Sequence, residues 1–460
     1  MVLKSITTFV KNLVAKNEFT KRLSLKLYSQ YREYKAKREF YSRIRDVNME
    51  EYVDVSNRPD MNVIILAVDC LRYSNLSFAG YHRETTPFLD SLKVNFRAVS
   101  AAPWTYPSVA SILTGLYPHN HNAYIHDKVK NFDNLKGFKP IRKSVLTLPE
   151  ILFLLNYEIY FGTAIDVASY PLKGRLVPKR YLGDTPAEKL LNDLRKWIVK
   201  RKKPFFAYVQ LGDLHEPLVP PKEFRNYFGK VEKLPNIERW AFGRPEEQKG
   251  EKFQEYKENR ILLYDNTLRY VDYALEQFYS FLEDSGLLDS TILVITADHG
   301  EEFWEHAKLE AENFYDPRGY YGVGHGHNVF NEIIEVPIIL DGAVKNRGEY
   351  TGNRVSSVDI TPTILDMLGV SHNLTFDGQN LFKVKEKKRP LLAEAVGYGY
   401  EKKALILGRY KLLYAPEDGV QWVFDLKKDP YEQHPIKDGE VTSIFVEKLN
   451  RTLRESEKKN

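Results

Sequence analysis

The chain has 460 residues, 43% of them hydrophobic and 13% aromatic, enough for one large core or two unequal ones, which excludes a disordered protein. No stretch approaches the roughly 18 consecutive apolar residues of a membrane-spanning helix, and Lys4, Lys11 and Lys16 break up the apolar run that a secretory leader needs. The only cysteine, Cys70, excludes an intramolecular disulfide and a cysteine-built zinc site, which fits a cytoplasmic protein.

Net charge is +5, unevenly spread: residues 1–45 hold twelve Lys/Arg against three Asp/Glu, +9, which leaves −4 for residues 46–460. The body is therefore not basic, and no nucleic-acid partner is expected. Between Ile6 and Ile44, apolar residues recur at helical spacing (Phe9, Leu13, Phe19, Leu23, Leu27, Tyr31, Tyr34) with cations between them, predicting one or two basic amphipathic helices. Such a face either packs on the protein's own body or on another subunit, or attaches peripherally to an anionic membrane or acidic partner.

After the turn-like Asn57-Arg58-Pro59-Asp60, strand and helix patterns alternate. Asn62–Val68, Phe205–Leu211 and Thr291–Thr296 are apolar runs of buried-strand type, followed by Asp69, Asp213 and Asp298; Val336–Leu340 is a fourth. Helices are predicted over Ser108–Thr114, Thr185–Lys200 and Lys252–Ser285. The alternation predicts an α/β fold, a central mostly parallel sheet covered by helices on both faces, with the site past the strand C-termini. The irregular stretches Pro220–Gly250 and Ala307–Tyr321 read as surface loops, the alternative being covers for a substrate entrance. From Arg389 the pattern shifts to short strands (Ala404–Leu407, Lys411–Tyr414, Gln421–Phe424) and a charged helix, Val441–Lys459. These signals divide the chain into an N-terminal helical extension (1–57), a catalytic domain (58–388) and a smaller C-terminal α+β subdomain (389–460).

Asp69, Thr105, Asp298-His299 and the histidines His215, His325 and His327 supply donor atoms suited to a divalent cation, and they stand in an ordered series of motifs. The series opens with Asn62-Val-Ile-Ile-Leu-Ala-Val-Asp-Cys-Leu-Arg72, Thr86 to Leu92, and Thr105-x-Pro107-Ser108 to Leu113-Thr114-Gly115. His215-Glu216-Pro217, Ala297-Asp298-His299-Gly300-Glu301 and His325-Gly326 to Pro337 follow, then Val358-Asp359 to Leu365, Asp377-Gly378, Tyr410-Lys411-Leu412 and Asp425 to Glu432. In this order, from about Asn62 to Pro435, the sequence resembles the sulfatase family of the alkaline phosphatase superfamily.

The resemblance implies an alkaline-phosphatase-like fold in which Asp69, Asp298 and His299 bind a metal and Thr105 is the nucleophile, its oxygen also on the metal. It implies that His215 and His325 contact the substrate or leaving group, with His327 the alternative to His325; Asp213 joins His327 as a substrate-binding candidate. A cation makes chemical sense, because a threonine hydroxyl is a poor nucleophile until a neighbouring positive charge lowers its pKa. Three oxygens and one imidazole favour manganese or zinc, with calcium as the alternative; one ion is expected rather than two. Three departures from sulfatases stand out: Thr105 where Cys or Ser becomes formylglycine, Cys70 in place of a second acid, and Val109 in place of an arginine. They resemble the threonine-dependent phosphodiesterases and phosphoglycerol transferases of the superfamily. Cys70 itself reads as a small buried thiol after a strand, the alternative being a metal ligand.

The expected activity is therefore metal-dependent cleavage of an anionic ester, a phosphoester and most naturally a diester, through a covalent Thr105 intermediate. A sulfatase using unmodified threonine is the alternative, and a non-catalytic metal-stabilised binding module is the alternative of another class.

Overall fold

The computed structural model describes residues 34, 38–45, 51–56, 58–92, 94–132, 137–175, 179–181, 185–344, 354–383 and 389–458. Most of the predicted N-terminal amphipathic segment therefore lies outside the described residues. Its Arg38–Arg45 portion is helical and packs inward: Phe40 is buried edge-on against Phe153, and Arg43 Nε donates to Glu150 Oε1 at 2.6 Å.

Three strands of seven residues, β1 (Asn62–Val68), β5 (Phe205–Leu211) and β6 (Thr291–Ala297), are buried along their whole length, which is why they read as unbroken apolar runs. With β2 (Val94–Val99), β3 (Glu158–Thr163), β4 (Lys179–Tyr181), β7 (Glu335–Gly342) and β8 (Val355–Ser356) they form an eight-stranded sheet ordered β8-β2-β7-β6-β1-β5-β3-β4. Pairing is parallel except at β7, which runs antiparallel to both β2 and β6. The mostly parallel α/β class is thus observed, with the β7 segment read correctly as a strand but reversed in direction.

Five helices matter for the site or its support: α1 (Thr105–Thr114), α2 (Ala187–Ile198), α3 (Gly250–Asp284), α4 (Ile360–Met367) and α5 (Gly439–Glu457). α2 turns Leu190, Leu191, Leu194, Trp197 and Ile198 inward and packs against β3, β5 and α3. α1 starts three residues earlier than its apolar pattern predicts, because Trp104 is extended and its carbonyl accepts the Ser108 N–H at 3.3 Å. It ends at Gly115, whose φ of +69° terminates the helix where a Cβ would meet Phe376 at 2.8 Å.

The C-terminal strands β9 (Leu391–Ala393), β10 (Lys403–Leu407), β11 (Tyr410–Ala415) and β12 (Val420–Asp425) form an antiparallel meander on which α5 packs. Its apolar side chains share cores with the body: Ala393, Ile406 and Phe424 cluster with Val99, Phe330 and Ile333, and Leu412, Phe445 and Leu449 with Tyr117 and Val358.

Candidate active site

The register of the sheet assembles the centre. Val68 pairs with Ala297 and with Leu211, so the next residues, Asp69 and Asp298, leave neighbouring strands side by side, and Gln210 stands beside them. α1 delivers Thr105 to the same point, its approach fixed by Ser100, whose hydroxyl lies 3.2 Å from Ser108 Oγ and donates to the Asp298 carbonyl. Asp69, Asp298 and His299 are fully buried and Thr105 nearly so.

Thr105 Oγ1 lies 3.2 Å from His299 Nε2 and 3.4 Å from Asp69 Oδ2. His299 Nε2 is in turn 3.4 Å from Asp69 Oδ1 and 3.5 Å from Asp298 Oδ2. His299 Nδ1 faces the Gly300 carbonyl at 2.8 Å, an atom that only accepts, so Nδ1 carries the proton and Nε2 turns a lone pair toward two carboxylates. Burial, followed by repulsion from His325, pushes the His299 pKa down to about 4, so His299 Nε2 is unprotonated at neutral pH. Asp298 Oδ2 is buried with no hydrogen-bond donor among the described residues, and burial with the Asp69 charge drives its pKa well up. Acceptors converge here with no positive group between them, which is what a divalent-cation site requires: the residues fit a metal. Asp69, Asp298 and His299 form a grouping of the right spacing for one.

Two more predicted histidines join this centre. His325 stacks near His299, with ring centroids 4.3 Å apart, and His215 lies 5.2 Å from His325. His215 Nδ1 donates to the Glu216 carbonyl at 2.8 Å; burial opposes its protonation, but the Asp69 charge outweighs it and raises its pKa. Both histidines and Thr105 border a cleft of about 470 Å³ whose aromatic walls include Trp104, Phe132, Trp240 and Tyr398. Arg239 and Trp240 come from the irregular 220–250 stretch, and Arg318 and Tyr320 from the 307–321 loop. Those stretches, read first as surface loops, are therefore walls of the cleft.

Two predicted substrate contacts are not brought to Thr105. His327 is separated from His325 by Gly326, at φ +81°, and turns into a buried acid pair: its Nε2 lies 3.0 Å from Glu302 Oε2 and 3.2 Å from Glu310 Oε2. Burial disfavours its charge, but the Glu310 carboxylate prevails and lifts its pKa to about 10, making it a structural imidazolium. Asp213 sits in a turn and faces a separate cleft of about 270 Å³, where its Oδ1 accepts the Ala187 N–H at 3.1 Å at the start of α2.

Sequence reasoning missed two supporting residues. Glu301 Oε1 lies 2.9 Å from His325 Nδ1 and orients that ring; burial raises its pKa, but His325 draws it down on balance, so it stays a carboxylate. Gln210 Nε2 donates to Asp69 Oδ2 at 3.4 Å. A polar amide inside an otherwise apolar strand and an acid two residues past His299 were the available signals.

A mostly parallel sheet with helices, carrying a buried acid–histidine–threonine centre at its strand ends, defines the alkaline-phosphatase-like α/β class. The sequence profile of the sulfatase family matches residues 61–370, and the chain belongs to that family. Among curated relatives, a low-salt glycan biosynthesis sulfotransferase of Haloferax volcanii is 25% identical over 67% of this chain, which spans 61% of that protein's length. An arylsulfatase of Clostridium perfringens is 24% identical, covering 85% of this chain and 93% of its own. The crystal structure of a phosphonate monoester hydrolase of Agrobacterium radiobacter superposes with a TM-score of 0.65 at 18% identity, over 86% of this chain and 96% of its own. Sulfatase-family members are hydrolases of sulfate or phosphate esters that bind a divalent metal.

Proposed function

We propose that this chain is a metal-dependent hydrolase or transferase that cleaves a phosphoester, a diester by preference, through a covalent intermediate on Thr105. The observation that carries the reading is the placement of an unmodified threonine hydroxyl, rather than a formylglycine precursor, 3.2 Å from His299 Nε2 and 3.4 Å from Asp69 Oδ2 beside an open cleft. A fold neighbour that is a phosphonate monoester hydrolase supports phosphorus chemistry on this scaffold.

A divalent ion held by Asp69, Asp298 and His299, manganese or zinc in this reading, would supply the positive charge that lowers the Thr105 pKa and offsets the substrate's charge. Thr105 Oγ1, its proton released to solvent, attacks phosphorus in line, the bond to the leaving oxygen breaks, and that oxygen takes a proton from His215 or His325. Water or an acceptor alcohol, giving its proton to that histidine, then displaces the phosphoryl group from Thr105, whose oxygen regains a proton from solvent.

A sulfatase acting through unmodified threonine is the second reading, favoured by the arylsulfatase relative. The deciding experiment compares nitrophenyl phosphodiester, phosphomonoester and sulfate substrates with metal-loaded wild type and Thr105→Ala. Phosphoester turnover that falls by about 10³-fold or more in the variant, without sulfate release, is expected. Threonine-dependent sulfate release transfers the assignment to the second reading, and unaltered ligand affinity with no turnover of any ester leaves a binding module.

A further inference from the structure

We propose that the Cys70 thiolate is a ligand of the cation held by Asp69, Asp298 and His299, and that this soft donor tunes the centre to zinc rather than calcium. The inference rests on the cation reading above.

Three observations carry it. First, the backbone at Cys70 is left-handed, φ 59°, a conformation unfavourable for a residue with a Cβ. On an extended strand the side chains of Asp69 and Cys70 would leave on opposite faces. Here both end in one nest: Cys70 Sγ lies 3.1 Å from Asp69 Oδ1, the same oxygen that is 3.4 Å from His299 Nε2. Second, Cys70 is fully buried, and its sulfur, one nitrogen of His299 and one of His325 lie within 4.8 Å of one another. Packing alone would be served by a small apolar side chain, whereas a sulfur among imidazoles and carboxylates is a ligand environment. Third, and independently of the thiol, Asp298 Oδ2 points into the same nest without a hydrogen-bond donor among the described residues.

In the metal-free protein the thiol donates its proton to Asp69 Oδ1. Holding a cation would require the thiol to lose that proton to solvent, after which Cys70 Sγ and Asp69 Oδ1 would both be free to serve as donors; no electron is transferred. A set of carboxylates, imidazole, hydroxyl and thiolate suits zinc or cobalt, whereas calcium takes six to eight oxygens.

The test uses the full-length metal-free protein titrated with cobalt(II), as wild type, Cys70→Ser and Asp298→Asn. Wild type is expected to bind one equivalent with a near-ultraviolet sulfur-to-cobalt charge-transfer band; Cys70→Ser is expected to bind cobalt without that band and to lose at least tenfold in zinc-over-calcium preference. Cobalt bound by wild type without the band overturns the thiolate ligand and leaves the cation reading standing. Failure of wild type to bind any cobalt overturns both. Because Cys70→Ser can misfold, X-ray absorption of zinc-loaded wild type gives a variant-free answer: one sulfur scatterer at about 2.3 Å supports the proposal, and only nitrogen and oxygen at about 2.0–2.1 Å overturn it.

Discussion

Glu301 meets the cleft through His325, whose Nδ1 lies 2.9 Å from its Oε1. If His325 carries a proton as proposed, His325→Gln is expected to lower kcat by about 10²–10⁴-fold, whereas Glu301→Gln, which keeps an acceptor for Nδ1, is expected to cost less, with KM nearly unchanged in steady-state assays. Asp213 makes a different prediction. Burial raises its pKa from the ordinary aspartate value of 3.8 to about 7, so between those values the folded protein holds a proton that the unfolded chain has lost. Stability linked to Asp213 therefore falls as pH rises from about 4 to 7 and levels off above. Asp213→Asn is expected to flatten that decline and to add about 1–2 kcal/mol at pH 8 in denaturant unfolding, a reduced figure because the side chain keeps some solvent contact. At this scale Asp69, Thr105, Asp298 and His299 were legible because each sits in a local motif at a strand end or helix start. The choice between His325 and His327 was not legible, since it depends on the direction the chain takes through Gly326.

The loops that wall the cleft are held by a buried staple. Glu310 accepts from Gly322 N at 2.7 Å and Asn328 Nδ2 at 2.9 Å, and His327 bridges it to Glu302. His327→Ala leaves two buried carboxylates facing each other and is expected to cost about 3–5 kcal/mol in thermal or denaturant unfolding. A raised KM should accompany it as the Arg318 and Tyr320 wall loosens. The staple's contribution is full below about pH 6.5 and is lost as pH rises toward the His327 pKa of about 10. Among the elements, β1, β5 and β6 were legible because burial on both faces leaves an unbroken apolar record. β2 was not, because Asn95 and Arg97 lie half-exposed within it, and the reversal of β7 was not, because strand direction leaves no mark on hydrophobic pattern.

The C-terminal meander belongs to the active site as much as to the far side of the molecule. Trp104 Nε1 donates to the Ala395 carbonyl at 2.6 Å, and Tyr398 lines the cleft. α5 is tied to the body through Ser456, which donates to Asp377 and accepts from Asn120 Nδ2 at 2.6 Å. Phe445→Ala, in the core shared with Val358, is expected to destabilise the whole protein by about 3–5 kcal/mol in a single unfolding transition rather than to melt the meander alone. Deleting residues 1–45 removes Phe40 and Arg43 from the body; co-sedimentation with anionic liposomes before and after the deletion tests peripheral attachment, which unchanged sedimentation rules out for that segment.

The β1–β6 register also sets when this protein becomes competent. Asn62 and Thr291, which open the two strands that carry the aspartates, are 229 residues apart in sequence. Closing so long a loop comes late for a chain leaving the ribosome, so nascent or partly refolded molecules have helices and local turns but no centre. Cation uptake is then a report on completed folding: in refolding from denaturant it should lag the recovery of helical circular dichroism, and a cell short of the metal would accumulate chains that are folded yet silent.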